Sequence, residues 1–191
     1  MLSIYNSLSN KKEIFKPIIP KMVSLYVCGM TVYDFCHLGH ARVMVIFDLI
    51  NRWLRQSGYT VKYVRNITDI DDKIITKATE QGITIQQLTE KFINEMNKDA
   101  DALGVLRPDF EPKATNHISE IINMIQLLID KGFAYVGENN DVYYSVKEFN
   151  GYGKLSGKTL KDLKAGKRVE IDSNKKNNFD FVMWKAAKKD E

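Results

Sequence analysis

A strand–helix–strand order near the N-terminus constrains the fold more than any other feature of this sequence. Residues 23–28 are rich in β-branched and aromatic side chains and predict a buried strand. An amphipathic helix is predicted from Leu38 until Gly58 ends it. Its predicted core-facing side chains recur with helical spacing: Val43, Phe47, Ile50 and Leu54. Residues 60–66 alternate in polarity and predict a second strand, which a crossover helix would place parallel to the first.

The carboxyl ends of these two strands are the expected place for a ligand. Parallel α/β units bind ligands in the crevice outside those ends. Here the ends are Cys28 and the segment 66–68. Gly29 and Thr31 leave the first strand, and Thr68 leaves the second. We therefore expect these residues to lie together at one edge of the sheet.

The segments that follow the second strand also have a predicted structure. A helix capped by Asp69, or by the residue before it, is expected to end at Gly82. The Thr84-Ile85-Gln86-Gln87 segment fits a capping box for the next helix. Residues 107–112 contain two prolines and predict a rigid, non-helical connector.

The remainder of the chain is predicted to mix helices with short strands. In chain order the sequence predicts a helix, a hairpin, a short helix and a strand, over residues 116–131, 133–146, 158–165 and 179–185. The apolar face of the first of these helices is expected at five positions: Ile118, Ile121, Ile122, Ile125 and Ile129. A soft boundary between two modules is expected near residues 113–132.

The 191-residue chain has a net charge of +4, and its basic excess lies in the last fifth. From Lys154 onward there are 11 Lys and Arg residues against 6 Asp and Glu residues. This surplus fits a solvated surface or one that meets a polyanion such as RNA. Apolar runs are far shorter than the ~18–20 residues of a membrane-spanning helix. With no secretory signal pattern and only two cysteines, a cytoplasmic protein is expected.

The densest cluster of chemistry-bearing residues lies where the first strand ends and the helix begins. His37 and His40 flank Gly39, which leaves room for another molecule to approach the backbone. A helix N-terminus offers unsatisfied N–H groups and a partial positive charge, which favour phosphate. Two imidazoles there can donate hydrogen bonds to charge that develops during nucleotidyl transfer. A histidine pair with this spacing also fits a metal site, and a single histidine fits a solvated or core position.

The segment His37-Leu38-Gly39-His40 resembles the HIGH signature of class I aminoacyl-tRNA synthetases, with Leu in place of Ile. The segments 26–42, 63–73, 106–115 and 180–185 are similar to cysteinyl-tRNA synthetase specifically. This resemblance implies an α/β fold. Residues 1–115 would form the first half of a Rossmann-like parallel-sheet catalytic domain, and residues 116–191 part of an inserted α+β connective module.

The resemblance also implies a reaction and its participants. The enzyme would use ATP, with Mg²⁺, to activate L-cysteine as cysteinyl-adenylate and would transfer the acyl group to tRNA(Cys). It would act as a cytoplasmic monomer. The catalytic pair would be His37 and His40. The residues that the resemblance assigns to ATP are His37, Gly39, His40 and Tyr33, and those assigned to cysteine are Gly29, Thr31 and Thr68.

Cys28 matches a position that binds zinc in the family, where the metal also takes the thiolate of the substrate. Zinc binds thiolate well, whereas a serine hydroxyl stays protonated and is a poorer ligand at neutral pH. The resemblance implies that the other three ligands lie beyond residue 191. Alone, Cys28 also fits a buried, inert position. Cys36 is expected to be structural, although a Cys28–Cys36 metal pair is conceivable.

The family's Lys-Met-Ser-Lys-Ser loop and its anticodon-reading domain find no match in this sequence. We therefore expect the chain to be the N-terminal piece of a longer enzyme and to be inactive alone. A rival reading is a cysteine:amino-sugar ligase, which shares the adenylate chemistry. A third is a non-catalytic module that binds cysteine or a nucleotide.

Several polar residues near the expected site keep two interpretations. Asp69, Asp71 and Asp72 fit either a magnesium site or, as we prefer, charges that complement a helix N-terminus. Asp34, like the neighbouring tyrosine, fits contact with ATP or a role in shaping the turn. His117 fits an approach to the site or a place on a capped surface helix.

Overall fold

The computed structural model describes residues 2–158 and 174–187. Its elements in chain order are β1 Ser3–Asn6, β2 Lys11–Ile14, β3 Met22–Val27, α1 Leu38–Gln56, β4 Thr60–Arg65, α2 Asp72–Gln81, α3 Ile85–Ala102, α4 Ile118–Asp130, β5 Ala134–Val136, β6 Val142–Tyr144 and β7 Phe181–Trp184. Contacts group the chain into two units, residues 16–118 and residues 1–15 with 119–191. The short helix expected near residues 158–165 falls outside the described residues after its first position.

The predicted parallel strand pair is confirmed. β3 and β4 pair in parallel from Met22↔Thr60 to Val27↔Arg65, and α1 forms the crossover between them. The helix ends as expected, because Gly58 takes the left-handed conformation at φ +85° directly after the C-cap Ser57.

The side of α1 that faces the core differs in part from the predicted one. Leu54 is buried as expected, but Val43 is exposed, and the other fully buried positions are Met44 and Asn51. A polar contact accounts for this difference. Asp48 accepts a hydrogen bond from the backbone of Leu106 at 2.8 Å, which draws the chain after α3 onto that side of the helix. An apolar periodicity could not reveal this attachment.

The connector after α3 is non-helical, as predicted, and it also aligns with the sheet. Residues 109–114 run parallel to β4, with isolated bridges Val64↔Phe110 and Ile67↔Lys113. Backbone N–H groups of Arg65 and Ile67 donate to the connector's carbonyls at 3.1 and 2.9 Å. The connector therefore acts as a short third strand beside β4.

Two carboxylates attach the connector to β4. Asp109 accepts from the backbone N–H of Tyr63 at 2.7 Å. Glu111 accepts from Nη2 and Nε of Arg65 at 2.6 and 3.2 Å. The exposed fraction of Arg65 is 5%. A buried guanidinium needs such a partner, since an unpaired buried charge is costly.

The caps of the next two helices match the sequence, except for one residue. Gly82 ends α2 in the left-handed conformation, and Thr84 and Gln87 form the predicted capping box of α3. The expected cap, Asp69 or Thr68, is wrong, because Asp71 is the N-cap of α2 and its side chain accepts from the Lys73 N–H. The core between these helices and the sheet comprises Val32, Met44, Ile67, Ile74, Ala78, Leu88, Phe92, Ile93, Met96 and Ala100.

The second unit contains two small antiparallel sheets. The hairpin of β1 and β2 was not predicted, because every residue in both strands is exposed and no alternation marks them. The predicted hairpin and final strand are confirmed as the sheet β5–β6–β7. Buried Asp180 joins this sheet by accepting from the Tyr135 hydroxyl at 2.8 Å and the Val146 N–H at 3.0 Å.

Helix α4 starts two residues later than expected, because Ala114–His117 forms a 3-10 turn before it. None of its residues is fully buried, and Ile122 of the predicted apolar face is exposed. The assignment of residues 1–115 to a catalytic half and 116–191 to an insertion stays a prediction. Within the described ranges, no helix is long and apolar enough to cross a membrane.

We predict that Glu111→Ala lowers the free energy of unfolding by about 3 kcal/mol, because it leaves the Arg65 guanidinium buried and unpaired. The matched control is Glu95→Ala, which removes an ion pair of similar length whose lysine partner Lys98 is 70% exposed. That change should cost less than about 0.5 kcal/mol. Urea denaturation of the two variants measures the difference, and equal losses would contradict the prediction.

Candidate active site

The loops that leave β3 and β4 are joined at the carboxyl edge of the strand pair. The backbone N–H of Gly29 donates to Oδ1 of Asn66 at 2.9 Å. Thr31 and Thr68 form a parallel bridge, with Val32 N–H to Thr68 O at 3.1 Å and Thr68 N–H to Met30 O at 3.2 Å. The structure thus brings together Gly29, Thr31 and Thr68, as the strand order predicts.

Gly29 occupies a position where the two chains touch. A Cβ on this residue would lie 1.5 Å from the carbonyl oxygen of Asn66 and 2.7 Å from its carbonyl carbon. Both are backbone atoms of a paired segment and cannot rotate away. The absence of a side chain at residue 29 is therefore what permits the edge to close.

We predict that Gly29→Ala lowers the free energy of unfolding by at least about 3 kcal/mol, at the upper end of overpacking costs. Gly82→Ala is the matched control, because Gly82 has φ +65° but nothing within 4 Å of a built Cβ. The control should lose only about 1 kcal/mol of left-handed strain. Urea midpoints of both variants test the prediction, and a tolerated Gly29→Ala change would show that the edge can open at little cost.

Asp69 brings a third segment to the same edge. Its exposed fraction is 4%, and its carboxylate accepts from the Thr115 N–H at 3.0 Å and from the Thr115 hydroxyl at 2.5 Å. Both oxygens are engaged in holding the end of the connector. The role of Asp69 is thus to dock Thr115, which the sequence interpretation of the three aspartates missed. Pro112 was the sequence signal for a third strand beside this edge, because the residue before a proline favours extended backbone.

The two histidines of the His37-Leu38-Gly39-His40 segment cap α1 reciprocally. Nδ1 of His37 accepts from the Gly39 N–H at 3.0 Å, and Nδ1 of His40 accepts from the His37 N–H at 3.2 Å. The rings stack, with centroids 3.8 Å apart and planes inclined by 21°. Because each Nδ1 is an acceptor, each ring carries its proton on Nε2. Each ring therefore presents one Nε2–H donor on the edge opposite its capping bond, and the pair offers two donors in all.

His40 is held in its neutral form. Burial is the main cause that lowers its pKa from the ordinary value, and the neighbouring His37 lowers it further. A neutral His40 keeps Nδ1 free to accept and Nε2–H free to donate at physiological pH. The site can therefore donate hydrogen bonds to anionic oxygen without losing the cap of α1.

The packing of the His37 ring also requires a residue without a side chain at position 39. A Cβ here would lie 2.8 Å from Cε1 and 3.0 Å from Nδ1 of the His37 ring. A larger residue would push that ring out of its capping position. The glycine thus fixes the geometry of the histidine pair, and its assignment to ATP stays a prediction.

The turn before the histidines carries an ion pair at its surface. Asp34 pairs with Lys77 at 2.8 Å, and the hydrogen bond from Lys77, followed by that from the Phe35 N–H, lowers the pKa of the Asp34 carboxyl. The ammonium groups of Lys73 and Lys77 lie 5.5 and 5.7 Å from the centre of the Tyr33 ring. These contacts favour the turn-shaping interpretation for Asp34. The assignment of Tyr33 to ATP stays a prediction.

The two cysteines have different surroundings. Cys28 is exposed at the end of β3. Cys36 packs with its sulfur 3.6 Å from that of Met30, and burial, with a smaller effect of Asp99, raises its pKa to about 11. Cys36 is therefore a partly buried thiol that packs against the core and stays protonated at neutral pH, and its structural role stays a prediction. The part of the chain that the structure describes contains no group of three or more His, Cys, Asp or Glu residues able to hold a metal ion.

We predict that iodoacetamide at pH 8 modifies Cys36 on the order of 100-fold more slowly than an ordinary exposed thiol, because so little of it is thiolate. Its rate should rise about tenfold per pH unit up to pH 10. Cys28→Ser and Cys36→Ser variants isolate each thiol for mass spectrometry. Similar rates for the two thiols at pH 8 would contradict the burial of Cys36.

His117 lies in the exposed 3-10 turn that begins with Ala114, two residues after Thr115. The docking of Thr115 by Asp69 places this turn directly beyond the carboxyl edge. Both interpretations of His117 remain open on this geometry. Thr115 is the residue of the edge that sequence reasoning did not assign to it, and the hydrogen bonds by which Asn66 and Asp69 close the edge were not predicted.

Comparison with known proteins places these features in a family. The family model of the tRNA synthetases class I (C) catalytic domain matches residues 14–191. The chain belongs to this family of class I tRNA synthetases. The predicted family and its α/β, Rossmann-like fold class are thereby confirmed.

The chain is similar along its whole length to synthetases of known type. It is 64% identical over 191 residues to the cysteine–tRNA ligase of Methylobacillus flagellatus and to that of Neisseria meningitidis serogroup A, and 62% identical to that of Laribacter hongkongensis. The matches cover 100% of this chain and 42%, 27% and 42% of those proteins. The chain thus spans less than half the length of each of these relatives.

A solved synthetase shares the fold. The agnB2 LeuRS of Agrobacterium radiobacter K84, determined as a ternary complex with tRNA and LeuAMS, matches with a TM-score of 0.53 at 21% identity. The match covers 70% of this chain and 18% of that one. It supports the Rossmann-like arrangement of the class I catalytic domain.

Proposed function

We propose that this chain supplies the histidine-bearing part of the active site of a cysteine–tRNA ligase. Such an enzyme activates L-cysteine with Mg-ATP and transfers the acyl group to tRNA(Cys). The observation that carries the proposal is the pair of Nε2–H donors at the start of α1, in a chain 64% identical to proteins with that name. The start of α1 follows the edge where ligands of parallel sheets bind.

In the first step the carboxylate of cysteine attacks the α-phosphorus of ATP. A P–O bond to cysteine forms, the bond to the β-phosphate oxygen breaks, and pyrophosphate leaves with the electron pair. Negative charge is redistributed over the α-phosphoryl oxygens in the transition state of this displacement. Nε2–H groups of His37 and His40 and the positive end of α1 would stabilise that charge.

Cysteine would bind at the edge formed by Gly29, Thr31 and Thr68. Gly29 is partly exposed, so its backbone is accessible to a ligand. Thr31 and Thr68 are partly exposed and carry hydroxyl groups that can bond the polar ends of an amino acid. The substrate would then lie next to Cys28, the first residue after β3.

Cys28 would be one thiolate ligand of a zinc ion. The residues present fit this role only in part: an exposed thiol at the site is a suitable donor, but the described residues do not complete a zinc site. When bound, zinc would prefer the thiolate of cysteine over the hydroxyl of serine. Because the chain spans 42% of the Methylobacillus relative, the remaining ligands and the acceptor-binding surface are part of the proposal for the whole protein.

We predict that His40→Asn lowers kcat for cysteine-dependent ATP–pyrophosphate exchange by about 100- to 1,000-fold in the full-length protein. This is the loss typical of removing one hydrogen-bond donor to a transition state. Asn is chosen because its side-chain oxygen can replace Nδ1 as the capping acceptor while the Nε2–H donor is lost. Lys98→Gln, on the exposed side of α3, is the control and should leave exchange unchanged.

The acceptor is tested separately with the same protein. Radiolabelled cysteine should be transferred to tRNA(Cys) and not to an amino sugar. Transfer to the sugar alone would overturn the tRNA part of the proposal. Binding of cysteine or ATP without any exchange would overturn the catalytic part.

A further inference from the structure

The side chain of Asn66 connects two of the three edge residues to which cysteine is assigned. Its Oδ1 accepts from the Gly29 N–H at 2.9 Å, and its Nδ2 donates to Oγ1 of Thr68 at 3.3 Å. Asn66 comes directly after β4 and is partly exposed. One amide group therefore contacts both strand ends at the place where the substrate would bind.

The orientation of the Asn66 amide is determined by Gly29. A backbone N–H can only donate, so the side-chain atom that faces it must be the oxygen. The NH2 group of the amide must then face Thr68, and this group has no capacity to accept. The bond between the two side chains consequently has one possible direction, with the Thr68 hydroxyl oxygen as the acceptor.

This direction leaves the hydroxyl proton of Thr68 available to a ligand. In the part of the chain that the structure describes, the Thr68 hydroxyl donates to no protein group. The backbone of Thr68 is fixed on both sides, because its carbonyl accepts from the Val32 N–H at 3.1 Å and its N–H donates to Met30 at 3.2 Å. A threonine side chain has few χ1 rotamers, so these contacts restrict where the proton can point. Thr68 is also partly exposed, which lets a ligand reach it.

The polarity of this donor favours one end of an amino acid. A carboxylate accepts hydrogen bonds, whereas an ammonium group only donates them. A hydroxyl that donates to a carboxylate also forms a charge-assisted bond, which is stronger than a bond between neutral groups. The Thr68 hydroxyl is therefore suited to the carboxylate of an amino acid.

We propose that Asn66 is a positioning residue that holds the Thr68 hydroxyl so that it donates to the carboxylate of the bound amino acid. That this amino acid is cysteine rests on the proposed function. Asn66 acts through Thr68 and needs no contact of its own with the substrate. Because the same amide binds Gly29, the closed edge and the orientation of the donor depend on one side chain.

The variant that tests this role is Asn66→Asp in the full-length protein. A carboxylate can still accept from the Gly29 N–H, so the edge should stay closed, but its second oxygen can only accept. The Thr68 hydroxyl would then turn its proton toward residue 66 and away from the ligand. We expect the KM for cysteine in pyrophosphate exchange to rise at least about 10-fold, the scale of a hydrogen bond to a charged group, with the KM for ATP unchanged.

Two further variants separate this effect from added charge. Asn123→Asp makes the same change at an exposed position of α4 and should leave both KM values unchanged. Thr68→Val removes the hydroxyl and should itself raise the KM for cysteine about 10-fold, after which Asn66→Asp should add little. A full additional loss in the Thr68→Val background would overturn the proposal, because the effect would not pass through the hydroxyl. A lower KM for cysteine in Asn66→Asp would also overturn it, because it would place the ammonium group beside residue 66.

Urea denaturation establishes whether each variant is folded. If Asn66→Asp does not fold, Thr68→Val decides alone, and an unchanged KM for cysteine in that folded variant would overturn the proposal.

Direct binding distinguishes this inference from the proposed function. Calorimetric titration with cysteine requires no catalysis, and the Kd should rise in Asn66→Asp by the same factor as the KM. Cysteamine, which lacks the carboxylate, should bind Asn66→Asp no more weakly than wild type, and equal weakening of both ligands would overturn the proposal. Binding with these differences but without exchange in wild type would refute the proposed function alone. Exchange in wild type with an unchanged Kd in folded Asn66→Asp would refute the role of Asn66 alone, and no binding of cysteine by wild type would overturn both.

Discussion

The close contact between residue 29 and the backbone of Asn66 is the constraint on which the candidate site depends. With no Cβ at Gly29, its N–H reaches the Asn66 side chain, and the chain continues in register so that Thr31 pairs with Thr68. The parallel pairing thus extends past the last regular residues of β3 and β4. This extension converts two loose strand ends into one fixed edge.

Carboxylates then attach a third segment to that edge. Asp109 and Glu111 bind β4 through a backbone N–H and the Arg65 guanidinium, and Asp69 holds Thr115 with both oxygens. Two of these contacts lie largely out of water, where hydrogen bonds to charged groups are worth more than on the surface. The connector is consequently positioned by charge as well as by backbone pairing.

Sequence periodicity predicted the elements well where burial follows a simple repeat. The strand–helix–strand unit and the caps at Gly58, Gly82 and Thr84 all depend on local rules that operate within a few residues. The edge itself was predicted from topology, because parallel strands must end together. These local and topological signals account for the agreement.

Contacts between distant residues were beyond those rules. The inward side of α1 depends on Asp48 binding the backbone 58 residues away, and Asp69 docks a residue 46 positions later. The exposed hairpin β1–β2 has no alternation to detect. For the two aspartates the missing information is a distant partner that no local pattern specifies, so the roles of these polar residues required the structure.

The histidine pair shows why one short segment serves stability and chemistry together. Each imidazole uses Nδ1 to cap α1, so the remaining Nε2–H is fixed both in tautomer and in position before any ligand arrives. Donors held in this way need little reorganisation when charge develops, which is the main requirement of electrostatic catalysis. The lowered pKa of His40 preserves this state, since protonation of Nδ1 would abolish the capping bond. A single residue change at Gly39 would displace the His37 ring and so disturb helix and donor at once.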